Sequence, residues 1–331
     1  MNKMKNWTKT VLLSLVVVAL LGSVGCVQRT DNVSPASKPA NQDVTQGAAS
    51  GETAASKRTT YPLTVKDASG NEVTFTKAPQ RIVSLLPSET EVLFALGLDD
   101  FIVGVTEWCD YPEAAKSKPK VGGLQGDLEA ILSANPDVVF AGLSRTNQKT
   151  LEKLRELNVN VFTVEPNTID EIMERILLYG RITDRQEQAE QVVARMKAER
   201  QNVLEAVKGL KDGEKKKVYV EFSPGWTVGK GEFMHDLITL AGGINVAGET
   251  EGWYQISEET IIQANPDVIL YAKGVPDLEK TIRERSGWDS IAAIRNGRVI
   301  GVDDNLLARP GPRITQALIE IAKAIYPDLV K

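Results

Sequence analysis

One ten-residue pattern occurs twice in this chain, and it constrains the fold more than any other feature. EAILSANPDV runs from Glu129 to Val138, and ETIIQANPDV runs from Glu259 to Val268. In each copy Asn-Pro ends a short helix, because the proline ring disfavours helical geometry at the residue before it. An apolar run follows, VVFAG or VILYA, which is typical of a strand buried on both faces of a parallel sheet. The repeat therefore predicts two α/β units of similar topology.

The first 25 residues predict an export signal that is not part of the fold. Three lysines make a basic start, and the apolar run from Val11 to Leu21 is too short to span a bilayer as a stable helix. Small residues precede Cys26, which resembles a lipoprotein processing site, although Ser23 stands where such sites usually carry a branched aliphatic residue. We expect lipidation of Cys26; ordinary cleavage and secretion is the alternative.

Residues 26–58 predict a lipidated cysteine followed by a flexible tether. This stretch is rich in Ser, Thr, Ala, Asn, Gln and Gly, so it cannot bury enough apolar surface to fold. No later segment predicts a transmembrane helix. We therefore expect an exported protein held at the outer face of the cytoplasmic membrane by its lipid alone, on the periplasmic side if an outer membrane exists.

Charge and cysteine content exclude several classes of protein. The formal net charge is −5, and it becomes more negative once the signal lysines are removed, which argues against a nucleic-acid partner. Beyond Cys26 only Cys109 remains, so no intramolecular disulfide is expected and the fold must rest on a hydrophobic core. The single histidine, His235, excludes a histidine-rich metal site. No metal and no cofactor are expected.

The remaining chain predicts two lobes separated by a helical region. Residues 59–167 contain a hairpin and then alternating strands and helices, which favour a largely parallel sheet. Residues 168–211 are almost all helix-forming, with one break near Thr183 and a long amphipathic helix after it. Strands and helices alternate again over residues 212–331. The predicted fold class is α/β, with two Rossmann-like lobes that have parallel central sheets and are bridged by one long backbone α-helix.

Most of the folded part resembles one known family. The resemblance is carried by RIVSLLPSETEVLFALGL, VGVTEWCDYP, KVGGLQGDLEAILSANPDVV and ARPGPR, and it covers roughly residues 82–325. These stretches are similar to the substrate-binding proteins of ABC importers whose two α/β lobes are joined by a backbone helix, and most similar to the cobalamin-binding branch. The resemblance implies capture of cobalamin or a related corrinoid between the lobes and delivery to permease subunits by a protein that is monomeric when unbound.

The resemblance also implies a role for the glutamate that opens each repeat. Members of the family present one glutamate per lobe to arginines of the membrane subunits, and Glu129 and Glu259 occupy the matching positions. Two like carboxylates suit a partner with two-fold symmetry, because each half can form the same charge-assisted pair. The alternative is that each is a first-turn glutamate favoured by the helix dipole.

Ligand contacts are expected from irregular segments at strand ends, where such a cleft would lie. Trp108, Trp226 and Trp253 lie in segments predicted as polar loops, whereas core tryptophans usually lie in apolar elements. Trp288 is interpreted as a packing residue. The complete predicted ligand site is Trp108, Tyr111, Leu124, Gln125, Phe222, Trp226, Trp253, Asp304, Asn305 and Arg309.

Several of these roles are implied by the resemblance alone. Trp253 and Arg309 match cobalamin-contacting positions, and either Phe222 or Trp226 matches another. Leu124 departs from the pattern, because a related protein has tryptophan there. We expect Asp304 or Asn305 to accept hydrogen bonds from ligand amides and Arg309 to meet a phosphate or carbonyl, a surface salt bridge being the alternative. We expect Cys109 to be a small, partly buried loop residue; a contact with cobalt is the alternative.

Other functions remain as alternatives of different strength. A ferric siderophore would also suit Arg309 and the aromatic loops, and haem is a weaker alternative through His235 or a tyrosine. An exported hydrolase is remote, since GWTVGKG lacks the spacing and the hydroxyl of a phosphate loop and no activated nucleophile is evident. Ser88 and Glu91 predict a capping box, which leaves the adjacent glutamates without a catalytic role. The chain is therefore not expected to be an enzyme.

Overall fold

The computed structural model describes residues 57–143 and 146–330. The predicted signal, Cys26 and nearly all of the tether lie outside the described residues. The described chain starts with the predicted hairpin, in which β1 (Leu63–Lys66) pairs antiparallel with β2 (Glu72–Phe75). Within the described ranges, no helix has both the length and the apolarity that a membrane crossing requires.

The first lobe is built on a four-stranded parallel sheet. Its strands are β3 (Ile82–Ser84), β4 (Ile102–Val105), β5 (Val138–Gly142) and β6 (Val161–Val164). They stand in the order β4-β3-β5-β6, and every neighbouring pair is parallel. The connecting helices are α1 (Pro87–Ala95), α2 (Leu128–Ser133) and α3 (Gln148–Glu156).

Two consecutive helices follow the first lobe. Helix α4 (Ile169–Thr183) is capped by Thr168, and α5 (Gln186–Val207) is the long helix that the sequence predicts. The chain turns between them at Asp184, which has a left-handed conformation with φ 56°. The predicted break near Thr183 is confirmed.

The second lobe repeats the parallel arrangement. Its main strands are β7 (Lys217–Glu221), β9 (Ile244–Asn245), β11 (Val268–Ala272) and β12 (Val299–Val302), in the order β12-β11-β7-β9. A separate antiparallel ribbon pairs β8 (Trp226–Val228) with β10 (Trp253–Gln255). Its helices are α6 (Phe233–Leu240), α7 (Glu258–Ala264), α8 (Leu278–Arg283), α9 (Ala292–Arg295), α10 (Asp304–Ala308) and α11 (Ile314–Ile325).

One continuous hydrophobic core joins the two lobes through α4 and α5. Because successive strand residues point to opposite faces, Val138 of β5 and Val268 of β11 join this shared core, whereas their neighbours Val139 and Ile269 each join a core of their own lobe. Met196 of α5 is fully buried in the shared core. The two-lobed α/β architecture predicted from the sequence is confirmed, and the lobes share packed side chains rather than only a connecting segment.

The start of α1 differs from the prediction. Ser88 and Glu91 do not form a capping box: the helix begins at Pro87 with Leu86 as its N-cap, and no described side chain caps it. Proline suits the first helical position, because its fixed φ is compatible with the helix and its missing N–H would be unpaired there anyway. Glu91 is instead 3 % exposed and bound by arginines from the other lobe.

Candidate functional site

Four predicted ligand residues of the first lobe lie on two adjacent loops. Trp108 and Tyr111 follow β4 and are 61 % and 45 % exposed, which is unusual for large aromatic side chains. Leu124 and Gln125 lie on the neighbouring loop before α2, and Leu124 is 44 % exposed. The loops are joined by a hydrogen bond from the Glu107 amide to the Gly122 carbonyl, 3.0 Å. The structure thus brings these four residues to the carboxyl end of β4.

Three predicted residues of the second lobe lie at the β8–β10 ribbon. Trp226 and Trp253 begin these two strands, so the prediction that they lie in polar loops is wrong; each three-residue strand obtains its hydrogen bonds from the other. Both indoles remain more than 40 % exposed. The Phe222 ring packs on Trp253 with centroids 4.5 Å apart, and the Phe222 amide bonds the Trp226 carbonyl. Both alternatives for this position, Phe222 and Trp226, therefore belong to one surface.

Glu232 lies beside this ribbon and was not predicted. Its Oε2 accepts a hydrogen bond of 3.2 Å from Trp253 Nε1, which holds the indole in place. Burial raises the pKa of Glu232, the Trp253 bond opposes this, and the charge of Glu165 adds to the increase.

Both groups of aromatic residues lie at the carboxyl ends of parallel strands. Trp108 comes shortly after β4, and Phe222 directly follows β7. Open α/β sheets bind their ligands at this edge, in the crevice outside the strand ends. The arrangement therefore offers apolar, aromatic walls from both lobes.

Arg309 does not project as a free cation. Its Nη1 donates to Asp110 Oδ1 at 2.6 Å and lies 3.4 Å from Glu91 Oε1, so the arginine joins the second lobe to the first.

Of the two predicted acceptors, Asp304 already accepts a bond from the Gly274 amide at 3.1 Å. Asn305 is half-buried at the start of α10, and its side chain has no hydrogen bond with any other residue in the described part.

A second arginine completes this cluster. Arg313 donates to both Glu91 oxygens, at 2.8 and 2.6 Å, and its guanidinium lies 3.8 Å from the centroid of the Tyr111 ring. The hydrogen bond to Glu91 raises the pKa of Arg313, burial opposes this increase, and the Glu91 charge reinforces it. The sequence analysis missed Glu91 and Arg313; the only sequence signal is that Arg313 closes the same ARPGPR stretch as Arg309.

Glu89 forms a separate buried ion pair below the same surface. It is fully buried and accepts 2.7 Å and 2.5 Å bonds from Arg175 Nη1 and Tyr179 Oη of α4. Arg175 also donates to the Pro310 carbonyl of the second lobe. Burial, together with the Glu89 charge, raises the pKa of Tyr179, so this phenol stays protonated. Glu89 therefore stabilises the contact between α1, α4 and the second lobe.

The side chains of Cys109 and His235 are engaged by neighbouring polar side chains. Cys109 is 1 % exposed, and its Sγ lies 3.1 Å from Thr90 Oγ1, so a contact with cobalt is inconsistent with its position. His235 lies in α6 with its Nδ1 3.3 Å from Asn245 Nδ2. Trp288 is fully buried against Tyr219, as its interpretation as a packing residue requires.

The two repeated glutamates occupy equivalent exposed positions. Glu129 lies in the first turn of α2, which Asp127 caps, and Glu259 lies in the first turn of α7, which Ser257 caps. Neither carboxylate forms an ion pair or hydrogen bond with another residue of the described ranges. Each helix directly follows a predicted ligand segment: Leu124 and Gln125 precede α2, and β10 precedes α7.

Comparison with known proteins identifies the family. Residues 82–306 match the model of a family described as periplasmic binding protein. The chain is 36% identical, over 83% of its length and 89% of the relative, to the uncharacterized ABC transporter substrate-binding lipoprotein YvrC of Bacillus subtilis. It is 30% identical, over 82% of its length and 76% of the relative, to a cobalamin-binding protein of Halobacterium salinarum.

The fold agrees with solved structures of similar sequence. A possible iron-binding (periplasmic solute-binding) protein from Staphylococcus epidermidis is 32% identical with a TM-score of 0.68, and the match covers 76% of this chain and 100% of that one. Proteins of this family are carriers without enzymatic activity, working with permease and ATPase components. The chain therefore belongs to the periplasmic binding protein family and is a substrate-binding protein of an ABC importer.

Proposed function

We propose that this protein captures cobalamin or a related corrinoid between its two lobes and delivers it to an ABC permease. The observation that carries the proposal is the set of exposed aromatic side chains at the strand ends of both lobes, above all Trp108 and Trp253. A large flat ligand with apolar faces gains most from such walls. The name of the cobalamin-binding relative from Halobacterium salinarum supports the same class of ligand.

In this proposal Glu129 and Glu259 dock the protein on the permease. Both are exposed, both stand in a capped first helical turn, and one belongs to each lobe. Arginines of a two-fold symmetric partner would form charge-assisted hydrogen bonds with them. Since α2 and α7 directly follow the ligand segments, docking and ligand capture would involve neighbouring parts of each lobe.

The mature protein is proposed to be a monomeric lipoprotein. Cys26 would carry the lipid, and the following tether would hold the folded part at the outer face of the cytoplasmic membrane. The relative from Bacillus subtilis is named a lipoprotein, which supports this assignment. The corrinoid is cargo, and the protein has no cofactor of its own. The predicted lobe boundaries, 59–167 and 212–331 around the helical region 168–211, stay part of the proposal.

A ferric siderophore is the second candidate ligand, and haem is a weaker third. The name of the similar structure from Staphylococcus epidermidis favours an iron compound, and aromatic walls also suit a metal chelate. Leu124 stands where a related protein has tryptophan, and this replacement of a flat stacking side chain by an aliphatic one argues against a ligand contact identical to that of the cobalamin-binding branch.

Calorimetric or tryptophan-fluorescence titration of the mature protein tests the proposal. Cyanocobalamin, a ferric siderophore and haem are titrated in parallel, and cyanocobalamin is expected to saturate the protein at micromolar concentration or below. Trp253→Ala should weaken binding about tenfold or more, because an exposed aromatic wall is lost. Leu329→Ala removes an equally exposed apolar side chain that is not among the predicted ligand residues, so it should leave the affinity for cyanocobalamin unchanged. Saturation by the siderophore and not by cyanocobalamin would overturn the ligand assignment.

A further inference from the structure

The positive charges at the edge of the candidate site are already neutralised. Arg309 and Arg313 contribute two guanidinium groups, and Glu91 and Asp110 contribute two carboxylates that bond them directly. Arg313 engages both oxygens of Glu91 at 2.8 and 2.6 Å, whereas Arg309 lies 3.4 Å from Glu91, so Glu91 is the weaker partner of Arg309. The main partner of Arg309 is therefore Asp110, at 2.6 Å.

Asp110 is placed differently from the other carboxylate of the cluster. Its side chain is 46 % exposed, whereas that of Glu91 is 2 % exposed. It lies between buried Cys109 and exposed Tyr111, on the loop that carries Trp108. Partial burial alone would raise the pKa of Asp110, but the hydrogen bond and charge of Arg309 lower it, so the group is ionised at neutral pH.

An ionised Asp110 affects neutral and anionic ligands differently. A carboxylate-bearing ligand gains affinity from an arginine only if it replaces the partner that the arginine already has, and it meets repulsion from that partner at the same time. A metal macrocycle with amide groups and little net charge neither has to displace the partner of the arginine nor meets net repulsion from it. The occupied arginine thus selects against free carboxylates.

From this geometry we infer that Asp110 is a specificity-determining residue: by neutralising Arg309, it favours an uncharged macrocycle over an anionic one. The inference rests on the proposed function, since it concerns the ligand of the same site, and it adds the charge class that the site accepts. Removal of the Asp110 charge should leave Arg309 with only its longer contact to Glu91, so that its positive charge becomes available to the ligand.

The test compares two flat metal complexes that differ in charge. Cyanocobalamin is neutral overall, whereas haem carries propionate carboxylates. In the wild-type protein haem should bind weakly, and Asp110→Asn should strengthen haem binding about tenfold or more, because one charge-assisted hydrogen bond becomes available. Cyanocobalamin affinity should change by less than about threefold, since this ligand has no net charge and no free carboxylate.

Two further variants assign the effect to the Asp110–Arg309 pair. Glu107→Gln removes the same charge from the same loop, but Glu107 is exposed and has no ion pair with a residue of the described ranges, so haem affinity should stay near the wild-type value. In the double variant Asp110→Asn/Arg309→Gln the gain in haem affinity should disappear, because the freed cation is absent. Thermal unfolding of each variant checks that the lobes remain folded.

The outcomes separate this inference from the proposed function. Unchanged haem affinity in Asp110→Asn, or an equal gain in Glu107→Gln, would overturn the role of Asp110 even if cyanocobalamin binds well. Failure of cyanocobalamin to bind the wild-type protein would instead overturn the proposed ligand. A haem gain in Asp110→Asn that survives in the double variant would also contradict the inference, because it would not depend on Arg309.

Discussion

Glu91 accepts two hydrogen bonds from Arg313, at 2.6 and 2.8 Å, and this bidentate pair joins α1 of the first lobe to the start of α11 in the second. The Glu91 side chain is 2 % exposed and that of Arg313 is 16 % exposed. Beside it, Arg175 of α4 binds both Glu89 and the Pro310 carbonyl. The lobes are thus connected by directed polar contacts in addition to the shared hydrophobic core.

Glu91→Gln should destabilise the protein by about 2–4 kcal/mol, because the buried Glu91 charge is lost and the half-buried Arg313 is left without its bidentate partner. Urea unfolding followed by circular dichroism measures the change. The matched control is Glu113→Gln, which removes a glutamate that is 84 % exposed and pairs with Lys116 on the surface. This control should lower the free energy of unfolding by less than about 0.5 kcal/mol, because exposed ion pairs contribute little to stability. Equal losses in the two variants would mean that the Glu91 pair has no special structural role.

Replacement of both glutamates proposed to dock on the permease should abolish transport without affecting ligand binding. In Glu129→Gln/Glu259→Gln the proposed charge-assisted pairs with the permease are lost, whereas both side chains are exposed and outside the ligand surfaces. Uptake of labelled cyanocobalamin by cells that carry the cognate permease, together with titration of the purified variant, gives the two readouts.

The control for docking removes the same charges elsewhere in each lobe. Glu72→Gln/Glu320→Gln changes two exposed glutamates, one on β2 and one on α11, and should transport normally. Loss of ligand binding in the Glu129/Glu259 variant would place those glutamates in the cleft, and normal transport would exclude them from docking.

Much of the fold was predictable because the repeat encodes local structure. Asn135 and Asn265 both adopt a left-handed conformation, with φ 46° and 49°. The aspartates that follow repeat one interaction: Asp137 Oδ2 accepts the Arg81 amide at 3.0 Å, and Asp267 Oδ2 accepts the Lys217 amide at 2.8 Å. Each unit thus ends its helix and fixes the start of a neighbouring strand, so a short sequence was enough to predict it.

The polar contacts between lobes were not predictable in this way. Ser88 and Glu91 have the spacing of a capping box, and a local pattern cannot reveal that Arg313, more than two hundred residues later, provides a better partner. The same limit applies to Arg309, whose residue type suits an anionic ligand but whose charge is engaged by Asp110. The ribbon β8–β10 was missed because three-residue strands are too short for a periodic signal.

The two left-handed asparagines should respond differently to glycine. Asn135→Gly should leave the free energy of unfolding nearly unchanged, because glycine adopts positive φ readily. Asn135→Ala should lower the free energy of unfolding by about 1 kcal/mol. Asn265→Gly should lower the free energy of unfolding by about 1 kcal/mol although glycine suits the φ, because it removes the Oδ1 that accepts a hydrogen bond of 2.8 Å from the Ala292 amide. Urea unfolding of the three variants distinguishes backbone strain from the lost hydrogen bond; equal stability of the two glycine variants would contradict the second effect.

Acid should destabilise the protein partly through Asp67. Burial of this carboxylate would raise its pKa, but hydrogen bonds from Ser69, Thr163 and the Asn71 amide lower it below its ordinary value of 3.8. Because the folded pKa is lower than the unfolded one, the stabilisation is present above pH 3.8 and is lost as the pH falls through the folded value.

Asp67→Asn should therefore have a flatter dependence of unfolding free energy on pH below about pH 4, although it should be less stable than wild type at neutral pH. Asp100→Asn, a change at an exposed position, should keep the wild-type slope. Urea unfolding at several pH values measures both slopes. Identical slopes for Asp67→Asn and wild type would show that this carboxylate does not contribute to acid unfolding.

Ligand binding should cause only a small rearrangement of the lobes. Closure by a large angle would have to separate side chains of the shared core, such as Met196 on α5, and strain the Glu91–Arg313 pair, and packed interiors resist such displacements. Small-angle scattering should give the same radius of gyration with and without cyanocobalamin, and hydrogen exchange should slow at the loop around Trp108 and at the β8–β10 ribbon around Trp253 but not in α4 or α5. Glu91→Gln, in which one interlobe restraint is removed, should show a larger ligand-dependent change than wild type. A large decrease in the wild-type radius of gyration on binding would mean that the shared core acts as a hinge and not as a rigid connection.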